Sequence, residues 1–323
     1  MKLISWFFAA SIMINLIAGS AAAQTYPSKP VRMMVPFPAG GGSDTMGRAV
    51  AQKLGERLGQ AVVVENRPGA GGSIGAELAA KAAPDGYTLL LGSTSEIAQY
   101  PNLNSRIAYN PQRDFAPISL VGNVPLLLVV HPSLPVKTVK DVIALAKARP
   151  GEINFSSAGP GSTTHLAVEL FIFLTGIRMT HVPYKGSPQA VTDLVAGNVQ
   201  IGIPTMPAAL SMVKGGRLRA IAVSTARRTP VLPDVPTMQE GGVTGYDNPL
   251  WTGLLAPRET PSAILSRLHG EIVTILALPD VKEVLARQGA EPASSTPEQF
   301  AAYIKSELAK WAKVVKEAGI RID

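Results

Sequence analysis

The chain has 323 residues, is 46% hydrophobic, carries a formal net charge of +7 and contains no cysteine. Disulfides, thiolate metal sites and a lipid attached through cysteine are therefore excluded. The length is large for one core and predicts two lobes. The basic residues, from Arg48, Lys53 and Arg57 to Arg217, Arg219 and Arg227, are scattered without interleaved aromatics. That pattern predicts no nucleic-acid partner and only a mild bias toward anionic ligands.

Met1 to Ala23 has the form of a secretory signal peptide. Lys2 supplies the positive start, Leu3 to Gly19 the apolar run, and Ala21-Ala22-Ala23 the small residues before cleavage. Cleavage is expected after Ala23, with export to a periplasm. The alternative is a retained membrane anchor, against which the run is short for a span. No later segment is apolar over the length of a span, so a soluble product is expected.

Next, Val31–Val35 reads as a strand that enters the loop Pro36-Phe37-Pro38-Ala39-Gly40-Gly41-Gly42-Ser43. A helix is expected from Asp44 to about Leu58, with Met46, Val50, Leu54 and Leu58 on one face. The loop carries no nucleophile and no metal ligand. It offers backbone N–H groups beside a helix N-terminus, which suit an anion such as a carboxylate. Ala61–Glu65 is a strand, followed by a Gly-rich loop and a helix near Gly75–Ala82; Tyr87–Leu91 is another strand. Leu126–Val130 is a continuous apolar run of the buried-strand type.

The second half repeats the same grammar. Thr138 caps a helix ending at Pro150-Gly151, and the strand Ile153–Phe155 leads into Ser156-Ser157-Ala158-Gly159-Pro160-Gly161-Ser162-Thr163-Thr164. The helix after that loop is expected to bury Leu166, Leu170, Phe173 and Leu174. Met179–Val182 is a strand. Ser187-Pro188 then opens a helix that Gly197 ends, and Val199–Ile203 and Arg219–Val223 are further strands. Thr260-Pro261 and Asp280 open two more helices, and Thr296-Pro297-Glu298-Gln299 is a capping box for the last. Alternating strands and helices make this an α/β chain with largely parallel sheets. Two glycine loops of one plan, one early and one central, would then face each other at the carboxyl ends of strands.

Other chemistry is poorly supported. Gly71-Gly72-Ser73-Ile74-Gly75 matches the G-x-S-x-G elbow, but Asn66 to Ala70 separate the serine from its strand. Ser73 reads better as a helix cap, with a serine hydrolase as the remote alternative. His131, His165, His181 and His269 are too dispersed for a metal site, so no metal and no cofactor is expected. Asp44 reads as an N-terminal charge or cap, with a general base as the alternative. His165 is read as either a ligand contact or a structural hydrogen bond, and Lys185 as a carboxylate partner or merely solvated.

At these residues the chain strongly resembles the tripartite tricarboxylate transporter substrate-binding proteins, or Bug receptors, of Gram-negative bacteria. The resemblance is carried by Tyr26 to Pro30, Pro36 to Asp44, Glu65 to Gly72, Pro84 to Thr88 and Asp114 to Ile118. It continues through Ser156 to His165, Val182 to Gly186, Pro233 to Thr237 and Trp251 to Leu254. It implies a two-lobed, type II-like periplasmic binding protein that closes like a Venus flytrap, with a mainly parallel sheet in each lobe. Residues 24–121 and 248–323 would form the first lobe and 122–247 the second. By the same resemblance a ligand carboxylate lies against Phe37, Pro38, Ala39, Gly40, Ser43 and Asp44 of the first loop. Ser157, Ala158, Gly159, Gly161, Ser162, Thr163 and His165 of the second loop would face them. Ser93 and Thr94 are added as cleft residues. Similar proteins often carry Asp or an aromatic where this chain has Pro204-Thr205-Met206, so a less polar distal contact is expected.

The expected function is that of a periplasmic solute receptor. It would bind a small carboxylic acid (a di- or tricarboxylate or an aromatic acid) and pass it, as a monomer, to membrane transporter subunits. The alternative is a ligand sensor for a signalling partner.

Overall fold

The computed structural model describes residues 26–321. The expected leader, residues 1–23, lies outside the described residues.

The described strands form two sheets. In the first, β1 (Val31–Val35) pairs in parallel with β2 (Val62–Asn66) and β3 (Thr88–Ser93). Next to β3 lies β10 (Leu250–Pro257), antiparallel to it and to β4 (Phe115–Val124), and the short β11 (Glu291–Pro292) closes that edge. In the second sheet the order is β7 (Thr180–Pro183), β6 (Asn154–Ser157), β8 (Ile201–Gly202), β5 (Leu127–Val130) and β9 (Arg219–Val223). Here only β5 runs against the rest. Strand direction is therefore mainly parallel in both sheets, as expected. The reversed strands β10 and β5 each follow a passage of the chain from one sheet to the other.

Side-chain alternation explains why each sheet is covered on both faces. Val31, Met33, Val35, Leu89 and Leu91 point to one side of the first sheet. There they meet Met46, Val50 and Leu54 of α1 (Gly42–Leu58). Met34, Leu90, Trp251 and Leu255 point to the other. They pack against α2 (Ser73–Ala80) and against Phe300, Ile304 and Trp311 of the C-terminal helix Pro297–Ala318. In the second sheet Leu126, Leu128 and Val130 face the helix Thr163–Thr175, while Leu127 and Val129 face the helices Ser187–Ala196 and Met206–Lys214. Each such apolar side chain contributes about 1.5–3 kcal/mol by burial.

The Thr296/Gln299 capping box forms and Thr138 caps its helix, as read from the sequence, and Asp141 completes a second capping box with Thr138. Three local expectations do not hold. Phe173 and Leu174 are 42% and 38% exposed, because the Thr163–Thr175 helix turns Ala167, Val168 and Phe171 toward the core instead. That helix is apolar on more than one side, so periodicity did not single out a face. Ser73 is the first residue of α2 rather than its cap; Gly72, at φ 94°, precedes it and Ser73 makes no capping bond. The 187–196 helix likewise takes Gly186, not Ser187, as its cap residue.

Candidate ligand-binding site

Parallel strands carry their following loops to one edge, so the loops after β1, β6, β7 and β8 all reach the seam between the sheets. The loop after β1 is held by Asp44. Its carboxylate accepts from Gly40 N at 2.9 Å, Asn66 Nδ2 at 3.0 Å and Arg48 Nε at 3.0 Å, while Asn66 Nδ2 also donates to the Phe37 carbonyl at 2.8 Å. Burial alone would raise the Asp44 carboxyl; the bonds from Arg48, Gly40 and Asn66 outweigh it and hold the group below the usual carboxylate range. Asp44 is a fixed anion that shapes the loop, not a free base. Gly40 sits at φ 82°, which lets the chain turn there.

The loop after β6 is tied up largely by itself. Ala158 N donates to Thr164 Oγ1 at 2.8 Å, and Ser162 Oγ donates to the Gly159 carbonyl at 2.7 Å while accepting from His165 N at 3.2 Å. Gly159 N donates to Ser157 Oγ at 3.1 Å, and the Ser157 hydroxyl is also hydrogen-bonded to His181 Nε2 at 2.6 Å. His165 accepts from Gly161 N at 3.2 Å through Nδ1 and turns Nε2 to Glu169 at 3.5 Å. It also stacks on His181 with ring centroids 4.1 Å apart. Burial, then the neighbouring His165, push His181 down to about 4, so the His181 imidazole is neutral at pH 7. Ser157, Ser162 and His165 are thus braces of the loop.

Three hydroxyls remain. Ser43 Oγ, Thr163 Oγ1 and Thr205 Oγ1 are buried with no hydrogen-bond partner, and all three residues line one small cavity of about 20 Å³. That is room for about one water. Phe37, Pro38, Ala158 and Ser162 complete its wall from the expected set, with Ser187, Pro188 and Leu250. Thr205 lies just past β8 and Ser187 just past β7. Both were accessible from the strand-loop-helix rule, but the first was read as a departure and the second as a cap. A second cavity of about 470 Å³ shares the walls Phe37, Pro38 and Ala158 and extends past Gly159, Gly69 to Gly72, Tyr100, Tyr184 and Lys185.

Other expected residues fall elsewhere. Ala39, Gly40 and Gly161 line neither cavity but shape the turns beside them. Ser93 and Thr94 are fully buried and also line neither: Ser93 bonds Glu96, and Thr94 Oγ1 accepts from Trp251 N at 2.9 Å. The polar side chains after β3 are spent on the protein interior. Glu96 itself is completely buried; burial pushes its carboxyl up to about 8, against the opposing bonds from Ser93. Ser73 has no histidine bonded to it: the ring nitrogens of His131, His165, His181 and His269 bond Ser133, Gly161, Ser157 and Ser295. Among the described residues no cluster suits a metal ion, and no helix is long and apolar enough to cross a membrane.

The family model described as "Tripartite tricarboxylate transporter family receptor" matches residues 46–320. The chain is 44% identical over 307 residues to a Bordetella pertussis protein named BugT, covering 95% of this chain and 94% of that one. Among solved structures it is similar to R. palustris Rpa4515 with adipate (TM-score 0.89, 38% identity, 92% of this chain and 99% of that one). It is also similar to MatC (Rpa3494) from Rhodopseudomonas palustris with bound malate (TM-score 0.84, 32% identity, 90% and 100%).

Proposed function

The chain belongs to the tripartite tricarboxylate transporter receptor family, and from that premise we propose that it binds a small carboxylic acid between its two lobes and delivers it to membrane transporter subunits. The observation that carries this reading is the convergence of Ser43, Thr163 and Thr205, buried and unpartnered, on one small cavity. A buried hydroxyl without a partner costs about 1–3 kcal/mol. An acceptor-rich group such as a carboxylate satisfies all three. The first-turn N–H groups of α1 and of the Thr163–Thr175 helix have no partner within their own helices and add positive potential at the same place. The similarity to structures holding adipate and malate supports an acid as the ligand.

In this reading the lobes are residues 24–121 with 248–323, and 122–247, joined by the passages before β5 and before β10. Closing them over the acid excludes water and strengthens each hydrogen bond. No bond of the ligand is made or broken. Phe37, Pro38, Ser43, Ala158, Gly159, Thr163 and Thr205 form the contact set, with Asp44, Ser157, Gly161, Ser162 and His165 holding the loops in shape. The protein works as a monomer in the periplasm, cleaved after Ala23.

The test is a thermal-shift comparison of carboxylic acids with their primary amides on the purified mature chain. An acid at about 100 times its dissociation constant adds about 2.7 kcal/mol to stability. The reading requires a shift with the acid that its amide does not produce; equal shifts would overturn it.

A further inference from the structure

Resting on the carboxylate-receptor reading, we propose that Lys185 is a specificity-determining residue: its ammonium pairs with a second anionic group, so the site selects acids with a carboxylate at each end of an apolar body.

The argument begins with the charges around the two cavities. The small cavity has no charged side chain in its wall. The wider one, about 470 Å³, has a single charged lining residue, Lys185, and no carboxylate. Many surface cations of this protein are paired, as Arg48 is with Asp44, Lys53 with Asp280, Lys81 with Glu77 and Arg228 with Glu240. The Lys185 ammonium enters no ion pair among the described residues, and the residue's hydrogen bond is made by its backbone N–H, to Gln189 Oε1 at 3.2 Å. Asp193, an acid on the helix that follows, is occupied by the Tyr184 hydroxyl at 2.7 Å.

The backbone that carries Lys185 is well held. Tyr184 N donates to the Ser157 carbonyl at 3.1 Å, and a Cβ on Gly186 would stand 2.6 Å from Pro38 Cγ, so only glycine allows the loop this close to the first lobe. Lys185 is therefore presented at a fixed place on the larger cavity. The two cavities share the walls Phe37, Pro38 and Ala158, and the wider one adds Pro68, Tyr100 and Pro160. Such walls offer an apolar body good contact and a chain of hydroxyls few partners. An α,ω-dicarboxylate or an aromatic diacid fits this layout; a compact hydroxy-tricarboxylate does not.

Titration calorimetry of the mature chain with matched pairs, adipate against hexanoate and terephthalate against benzoate, tests the proposal. The wild type is expected to bind at least one diacid about tenfold more tightly than its monoacid. Lys185→Met should bring that ratio toward one, Lys185→Arg should retain it, and added salt should shrink it in the wild type. The Lys185 side chain is solvent-facing, so neither substitution disturbs the core. A diacid preference that survives Lys185→Met, or its absence in the wild type while monoacids bind, overturns the proposal and leaves the carboxylate reading standing. Acids that bind no better than their amides overturn both.

Discussion

Ser95 Oγ lies 3.0 Å from the carbonyl oxygen of Gly161, joining the segment after β3 in the first sheet to the glycine loop after β6 in the second. The same hydroxyl stands 2.7 Å from the Gly71 carbonyl, so one hydrogen is shared between two acceptors. Tyr100 lies against both glycines and leaves no room for a Cβ at either, each of which has positive φ. Removing the hydroxyl leaves two carbonyls without their donor across the seam. Ser95→Ala should weaken acid binding about fivefold, about 1 kcal/mol, chiefly through faster release. Stopped-flow dissociation measures this; an unchanged release rate would mean that the contact plays no part in holding the lobes closed.

Ser43→Ala, Thr163→Val and Thr205→Val should each lower acid affinity about tenfold. Each should leave the unliganded protein as stable as before or slightly more so, because each removes a buried group that has no partner. Calorimetry together with unliganded melting temperatures separates this from a structural role, which would lower stability and affinity together.

Glu96 makes stability fall as pH rises from 4.5 to about 8. Its folded value, about 8, lies above the ordinary 4.5, so between those values the folded state holds a proton that the unfolded chain has released. Stability is therefore full below the lower value, falls as pH rises toward 8 and levels off above it. Glu96→Gln should flatten that fall while keeping the buried side chain's volume. Chemical denaturation from pH 5 to 9 measures it, and identical slopes in variant and wild type would mean that the burial does not control the proton.

His181 acts at the other end of the range. Its folded value, about 4, lies below the ordinary 6.5, so between them the unfolded chain binds the proton. Stability is full above 6.5 and is lost as pH falls through the window. His181→Gln should remove this acid-side loss, and the imidazole's NMR titration should show no protonation above pH 5.

The helix read from Asp44 to about Leu58, the Thr138 cap and the Thr296 capping box were legible because each depends on residues a few positions apart. The faces of β1 and β3 follow from alternation alone. The site was half legible. The two glycine loops were found from strand-loop-helix grammar, but four of the hydroxyls assigned to the ligand, Ser93, Thr94, Ser157 and Ser162, turn inward to Glu96, Trp251, His181 and the Gly159 carbonyl. Thr205, set aside as a departure, supplies one of the three free hydroxyls instead.

By itself the sequence determined the α/β alternation and the family resemblance, since these rest on local periodicity and ordered motifs. Only the tertiary structure decided which hydroxyls are spent and which are free. A side-chain hydroxyl bonds whatever stands within about 3 Å of it. For Ser43, Thr163 and Thr205, that surrounding is assembled from segments more than a hundred residues apart in the chain on average.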